Sequence, residues 1–181
     1  MNYMAIKKVD IADGIGVRVG LYVAGCHRHC EGCHNSDAWP FDSGNPFDDR
    51  AKTELMDILR HPWIEGISIL GGEPLDPENR DEVFELIFNI LQIFEDTKTI
   101  WVYTGYTWEE VLHLPAMWMI DVLVDGPFIA DQRDLSLRFR GSRNQRIINV
   151  SASLMDGQIH LWQDELWDPI MKRNSIGRDL P

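Results

Sequence analysis

Cys26, Cys30 and Cys33 are the three cysteines of this 181-residue chain, and all of them fall in the eight-residue stretch CHRHCEGC. An odd number of thiols crowded into one loop excludes a conventional disulfide framework. Thiolates are soft ligands that suit zinc and iron–sulfur clusters, and a four-iron cluster ordinarily takes four protein cysteines. Three thiolates on a cubane would leave one iron without a protein ligand, and an open coordination position is where metal chemistry occurs. Zinc is the competing occupant, because His27, His29 and His34 lie close by and Cys3His is a structural zinc set. Zinc ligands usually arrive as two pairs separated by a longer spacer, and no second pair exists here. Three unrelated core cysteines fit poorly, since Arg28, Glu31 and the histidines do not belong in an apolar interior.

Further candidates follow. In Gly71-Gly72-Glu73-Pro74 two glycines allow close backbone approach and the proline fixes the exit, although an ordinary strand-to-helix turn has the same composition. Arg133, Arg138, Arg140, Arg143 and Arg146 cluster in an otherwise acidic chain, as befits a carboxylate clamp, a docking segment or a solvated loop.

The elements that must position these residues are legible from pattern. Val17 to Ala24 is β-branched and aromatic, a strand that runs into Gly25 and the cysteines. The turn-rich stretch from Asp37 to Asp49 ends by capping a helix near Arg50 to His61. Gly66 to Leu70 is a second strand, ending at the glycine turn. Asp76 as N-cap with Pro77 at the first position announces a helix through Glu82 to Phe94. Thr99 to Tyr103 reads as a strand, Thr107 with Glu110 as a capping box for a short helix through Leu114, and Ile120 to Val124 as another strand. Arg146 to Val150 and Gln158 to Trp162 are expected to pair as a hairpin around Asp156-Gly157. Alternating strands and helices imply an α/β fold with a mostly parallel sheet, in which ligands gather at the carboxyl ends of the strands. Both candidate loops lie at such ends. One domain over residues 1–162 and a weakly structured tail over 163–181 are expected.

Lys and Arg number 17 against 29 Asp and Glu, a net charge of −12 that repels phosphate backbones and anionic lipid. Nucleic-acid binding is therefore not expected, and Trp101, Trp118 and Trp162 read as core or rim residues. No apolar run approaches the ~20 residues needed to span a bilayer, and the N-terminal stretch lacks the apolar core of a signal peptide. A cytoplasmic location without membrane partners is the expectation.

Taken together, VDIADGIGVRV, the cysteine loop with EGCHN, SILGGEPL, IWVYTGYTWEEV, VLVDGPF and DLSLRFRGSRNQRI resemble the radical S-adenosylmethionine superfamily. Within it the likeness is to the activating proteins of anaerobic ribonucleoside-triphosphate reductase, and it runs from Val9 to about Asn149. The resemblance implies a partial (βα) barrel of the radical SAM type. It implies a [4Fe-4S] cluster ligated by Cys26, Cys30 and Cys33, with the fourth iron chelated by the amino and carboxylate groups of S-adenosyl-L-methionine. Gly32 and His34 would then neighbour the adenine, and Gly71, Gly72, Glu73 and Pro74 the amino end of the cofactor. Thr104 and Asp125, also at strand ends, would face ribose hydroxyls. Position 34, often tyrosine in relatives, is His here, and position 15, often proline, is Ile. The implied substrate is a glycine of the large reductase subunit, with a reductant such as flavodoxin or ferredoxin. Other radical enzymes, a pyruvate formate-lyase activase or a 7-carboxy-7-deazaguanine synthase type, and a non-catalytic zinc-binding module are the alternatives.

Overall fold

A computed structural model describes residues 1–163. Apart from Gln163, the expected tail lies outside the described residues. The elements are β1 (Asn2–Asp10), β2 (Arg18–Val23), β3 (Asn45–Pro46), α1 (Asp49–Leu59), β4 (Gly66–Gly71), α2 (Arg80–Phe94), β5 (Thr99–Tyr103), α3 (Trp108–Val111), β6 (Val122–Asp125), β7 (Arg146–Asn149) and α4 (Val150–Asp156). The seven strands form one open sheet in the order β3-β1-β2-β4-β5-β6-β7.

Strands β2, β4, β5 and β6 run parallel, while β1, β3 and β7 join antiparallel at the flanks. The parallel centre is what the alternation of strands and helices dictates, and it delivers the ends of β2, β4, β5 and β6 to one edge. Side chains alternate across it. Ile100, Val102, Leu123 and Ile148 join the large core that also holds Leu55 and Leu59 of α1 and Val83, Ile87 and Ile90 of α2. Trp101, Val122 and Val124 face the other way, packed against Ile15, Phe139 and Trp162. Trp101 has Phe139 and Trp162 edge-on at 5.4 and 5.5 Å.

On that second face Arg18 is buried beside Trp101. It donates to Ser68 Oγ at 2.8 Å and Thr99 Oγ1 at 2.9 Å, and to the carbonyls of Ile15, Ile67 and Thr99. Burial lowers its pKa to about 10, so it remains a cation and satisfies five acceptors.

The structure corrects several expectations. Helix α2 starts at Arg80, not at Asp76-Pro77: Asp76 caps a turn of its own, its Oδ1 accepting from the Glu78 amide and its carbonyl from the amides of Asn79 and Arg80, while Oδ2 faces His27. The segment after β7 is helix α4, not one arm of a tight hairpin. Gly157, at φ 74°, is its left-handed C-cap. Leu161 nonetheless bridges back to Ile148. Strand β6 begins at Val122, two residues later than expected, and β1 was not anticipated. Trp118 is largely exposed, whereas Trp101 is fully buried.

Candidate functional site

The cysteine loop leaves the end of β2 and folds back under backbone control. Gly25 N donates to Ala38 O at 2.7 Å, Cys26 N to Trp39 O at 2.9 Å and Cys33 N to Cys30 O at 3.1 Å. His29 adopts φ 44° and stacks on Trp39 at 4.5 Å, while His27 packs on Phe41 at 4.7 Å. Cys26 is buried, and Cys30 and Cys33 are partly exposed. Burial pushes the Cys26 thiol up, and the amides of Arg28 and His29, aimed at its sulfur, work against that shift. The Asn35 amide points at Cys33 Sγ at 3.4 Å. Amide donors around sulfur are how proteins stabilise thiolates and tune iron–sulfur centres.

The glycine turn is laced to this loop. Gly72 N donates to Val23 O and Glu73 N to Gly25 O, both at 2.8 Å. Asn79, fully buried, sends its side-chain amide to the carbonyls of Ala24 at 2.9 Å, Glu73 at 3.0 Å and Gly25 at 3.3 Å. His27 Nδ1 lies 2.9 Å from Asp76 Oδ2, and Asn35 Nδ2 reaches Gly71 O at 3.4 Å. The glycines are there for this packing. A Cβ on Gly71, at φ 111°, would lie 2.7 Å from Val23 O, and one on Gly72 2.5 Å from Gly25 O. Asp76 and Asn79 are supporting residues that motif reading passed over, since a turn polar residue carries no mark of its distant partner.

Glu73 is fully buried. Its Oε1 accepts from Thr104 Oγ1 at 2.7 Å and Leu75 N at 3.0 Å, and its Oε2 from Gly105 N at 2.7 Å. Desolvation raises its pKa to about 7, against the pull of these donors and of the Arg28 charge.

A cavity of about 330 Å³ opens over these strand ends, within the usual size of a small-molecule site. All three cysteines, His34, Gly71, Gly72, Glu73 and Thr104 line it. Gly32, Pro74 and Asp125 are not among the lining residues. Asp125 is fully buried, and its carboxylate is engaged by Arg146 Nε at 3.0 Å and by the Trp108 amide at 2.7 Å. Arg28, Asp13, Tyr103, Phe128 and Phe139 also line it; tertiary folding brings the last four there, while Arg28 lies within the cysteine loop itself. Of the arginine segment, Arg140 lines the cavity and donates to Gln145 O at 2.7 Å. Arg143 pairs with Asp134 at 3.1 Å, and Arg146 also binds Glu109 at 2.9 Å.

Zinc–thiolate bonds of about 2.3 Å hold sulfurs within roughly 4 Å of one another. Among the described residues, the His, Cys, Asp and Glu donors that gather within 4.8 Å are His27, Asp76 and Glu78, not the three cysteines. Three thiolates of one loop suit the corners of a [4Fe-4S] cubane, which are spread more widely than the ligands of one ion.

Fold and site define an iron–sulfur protein of the single-cluster type, and residues 12–148 match the family described as a 4Fe-4S single cluster domain. The chain is similar to the anaerobic ribonucleoside-triphosphate reductase-activating protein of Escherichia coli K12, 40% identical over 149 residues that cover 80% of this chain and 96% of the relative. It is 38% identical to the protein of that name from Pasteurella multocida, over 81% of this chain and 96% of the relative. The phage T4 protein of the same name is 37% identical, over 81% and 93%. The chain belongs to the family of anaerobic ribonucleoside-triphosphate reductase-activating proteins, radical S-adenosylmethionine enzymes that carry a [4Fe-4S] cluster.

Proposed function

We propose that this chain activates anaerobic ribonucleoside-triphosphate reductase by removing a hydrogen atom from a glycine of its large subunit. One observation carries the reading: three thiols of a single loop share a cavity wall with the Gly71–Glu73 turn at the ends of parallel strands. When bound, the reduced cluster supplies one electron that splits a carbon–sulfur bond of S-adenosylmethionine, and the 5′-deoxyadenosyl radical so released takes the hydrogen.

The chain's own residues hold and orient. Cys26, Cys30 and Cys33 would hold the cluster through three thiolates, which would leave it an open position for S-adenosylmethionine. The Gly71-Gly72-Glu73-Pro74 turn receives the amino end, where the Glu73 carboxylate offers an acceptor to the N–H groups of the amine. His34, on the cavity wall, flanks the adenine, and Gly32, off the wall, shapes the loop behind it. Thr104 stands on the ribose side, and Asp125, already held by Arg146 and Trp108, supports that wall from behind. Phe128 and Phe139 give the cavity an apolar boundary that limits water. The open sheet is read as the partial (βα) barrel of the radical SAM type, supported by its four parallel strands.

With all three cysteines in one loop, the chain has no thiols for a second cluster, so a one-electron donor such as flavodoxin or ferredoxin supplies the reductant. Among the described residues, no helix is long and apolar enough to cross a membrane. A cytoplasmic location fits a site that requires reduced thiols.

The test mixes anaerobically reconstituted, reduced protein with S-adenosylmethionine and the reductase, then looks for a glycyl radical by electron paramagnetic resonance. Iron near four per chain, with matching acid-labile sulfide, and a glycyl signal lost on replacing Cys26, Cys30 or Cys33 by Ala are expected, as for a cubane on three thiolates. Stoichiometric zinc, or no organic radical, would sink the reading.

A further inference from the structure

His27 follows the first cysteine of the loop, yet it is not among the residues that line the cavity, although Cys26 and Arg28 on either side of it are. Its ring packs on Phe41, the centroids 4.7 Å apart. Each ring nitrogen faces a carboxylate: Nδ1 lies 2.9 Å from Asp76 Oδ2, and Nε2 lies 3.6 Å from Glu78 Oε1. A nitrogen of His27 and one oxygen each of Asp76 and Glu78 all lie within 4.8 Å of one another.

The charge in this corner is unbalanced. Among the described residues, the ion pairs of Asp76 and Glu78 run to His27 and to no lysine or arginine. One imidazole therefore faces two carboxylates in a chain of net charge −12. Anions brought this close repel unless a cation stands between them. Asp76 is fully buried and its Oδ1 accepts from the Glu78 amide at 3.1 Å, which holds Oδ2 in place. The side chains of His27 and Glu78 are 62% and 59% exposed, so both can close on an ion arriving from solvent. Metal–ligand bonds of about 2.1 Å set ligand atoms roughly 3–4 Å apart, and a small movement of Glu78 completes such a set. Two carboxylates and one imidazole suit a divalent cation of the manganese class, whereas the neighbouring thiolates suit softer metals.

We infer that His27, Asp76 and Glu78 bind one such cation, and that the ion clasps the cysteine loop to the chain just after the Gly71-Gly72-Glu73-Pro74 turn. His27 supplies the loop's side of the clasp, and Asp76 and Glu78 supply the other. The site uses no cysteine and no residue of the cavity wall, so it does not rest on the proposed function.

The probe is Mn²⁺, whose sharp electron paramagnetic resonance signal in solution fades on binding. It is titrated into anaerobically reconstituted protein, in which the oxidised cluster is silent in that measurement. Wild-type protein is expected to bind one Mn²⁺ per chain, and His27→Gln and Glu78→Gln each to lose at least about tenfold in affinity. Glu78 is exposed, so its variant keeps the fold even where the His27 substitution disturbs the loop. Glu54→Gln, which removes another exposed carboxylate from α1, is expected to bind as the wild type does. Wild-type protein that binds no Mn²⁺ would overturn the inference, as would an equal loss in Glu54→Gln, the mark of diffuse attraction to an acidic surface. The clasp is read separately: Mn²⁺ should slow the release of cluster iron to a ferrous-specific chelator severalfold in wild type and leave Glu78→Gln unchanged, and equal rates would overturn it. The titration reads equally well on cluster-free protein, so a chain that proves to hold no cluster would end the proposed function and leave this site standing.

Discussion

The Thr104 hydroxyl at the end of β5 donates to Glu73 Oε1 at 2.7 Å, joining the exits of two adjacent strands through a carboxylate that has almost no contact with solvent. Three donors converge on that carboxylate, yet desolvation dominates and its pKa rises to about 7 from an ordinary 4.5. A carboxyl raised in the folded state favours folding most while it is neutral. Its contribution is complete below about pH 4.5 and is lost as pH climbs through about 7.

Comparing urea unfolding of cluster-free wild-type and Glu73→Gln protein between pH 4.5 and 8 should isolate that contribution. Relative to the variant, the wild type is expected to lose on the order of 2–3 kcal/mol across this window. A difference that stays flat with pH would show that Glu73 is ionised throughout.

Replacing Gly72 by Ala should damage cluster retention without touching a thiol. The added methyl would sit 2.5 Å from Gly25 O, and backbone cannot yield as a flexible side chain can. A cost of about 1–3 kcal/mol and iron below half the wild-type content after gel filtration are expected. Full iron loading would mean that the two loops tolerate separation.

How much of this was readable in advance differs from element to element. The parallel strands announced themselves by β-branched runs that ended at Gly25, Gly71 and Tyr103, and the cysteine spacing marked the candidate cluster ligands, which share one cavity wall. Strand β1 did not, because its residues are mostly half-exposed or exposed and its pairing with β2 is a long-range matter. Asp76-Pro77 looked like a helix cap, and Asp76 does accept from the Glu78 amide, but what it caps is the turn before α2. Asp156-Gly157 looked like a hairpin turn, and the same left-handed glycine serves equally to end a helix. Arg28 registered only as a charge unsuited to a core, since nothing local encodes its position over Tyr106 and Gly105.

Arg146 and its two acidic partners should differ sharply in effect. Arg146 holds the fully buried Asp125 and the exposed Glu109, whose pKa the guanidinium hydrogen bonds lower to about 2. Arg146→Met strands a buried charge and is expected to cost about 3–5 kcal/mol, whereas Glu109→Gln removes an exposed pair and should cost under about 1 kcal/mol. Denaturant midpoints of the two variants decide this, and equal losses would contradict it.

Reversing charge at Arg138 and Arg140 probes the surface that borders the cavity. If the segment guides the reductase, the double variant Arg138→Glu, Arg140→Glu should need about tenfold more reductase for half-maximal glycyl radical, with a weaker dependence on salt. Unchanged radical yield across a reductase titration would remove the segment from docking.

The thiols all lie in one short span, Cys26 to Cys33, while Phe128, Phe139 and Arg140, which also line the cavity, come from much later in the chain. During synthesis the cysteine octet therefore leaves the ribosome well before the segment that completes the cavity lining. Maturation can proceed in two stages, inorganic assembly first and a competent pocket only after the chain is finished.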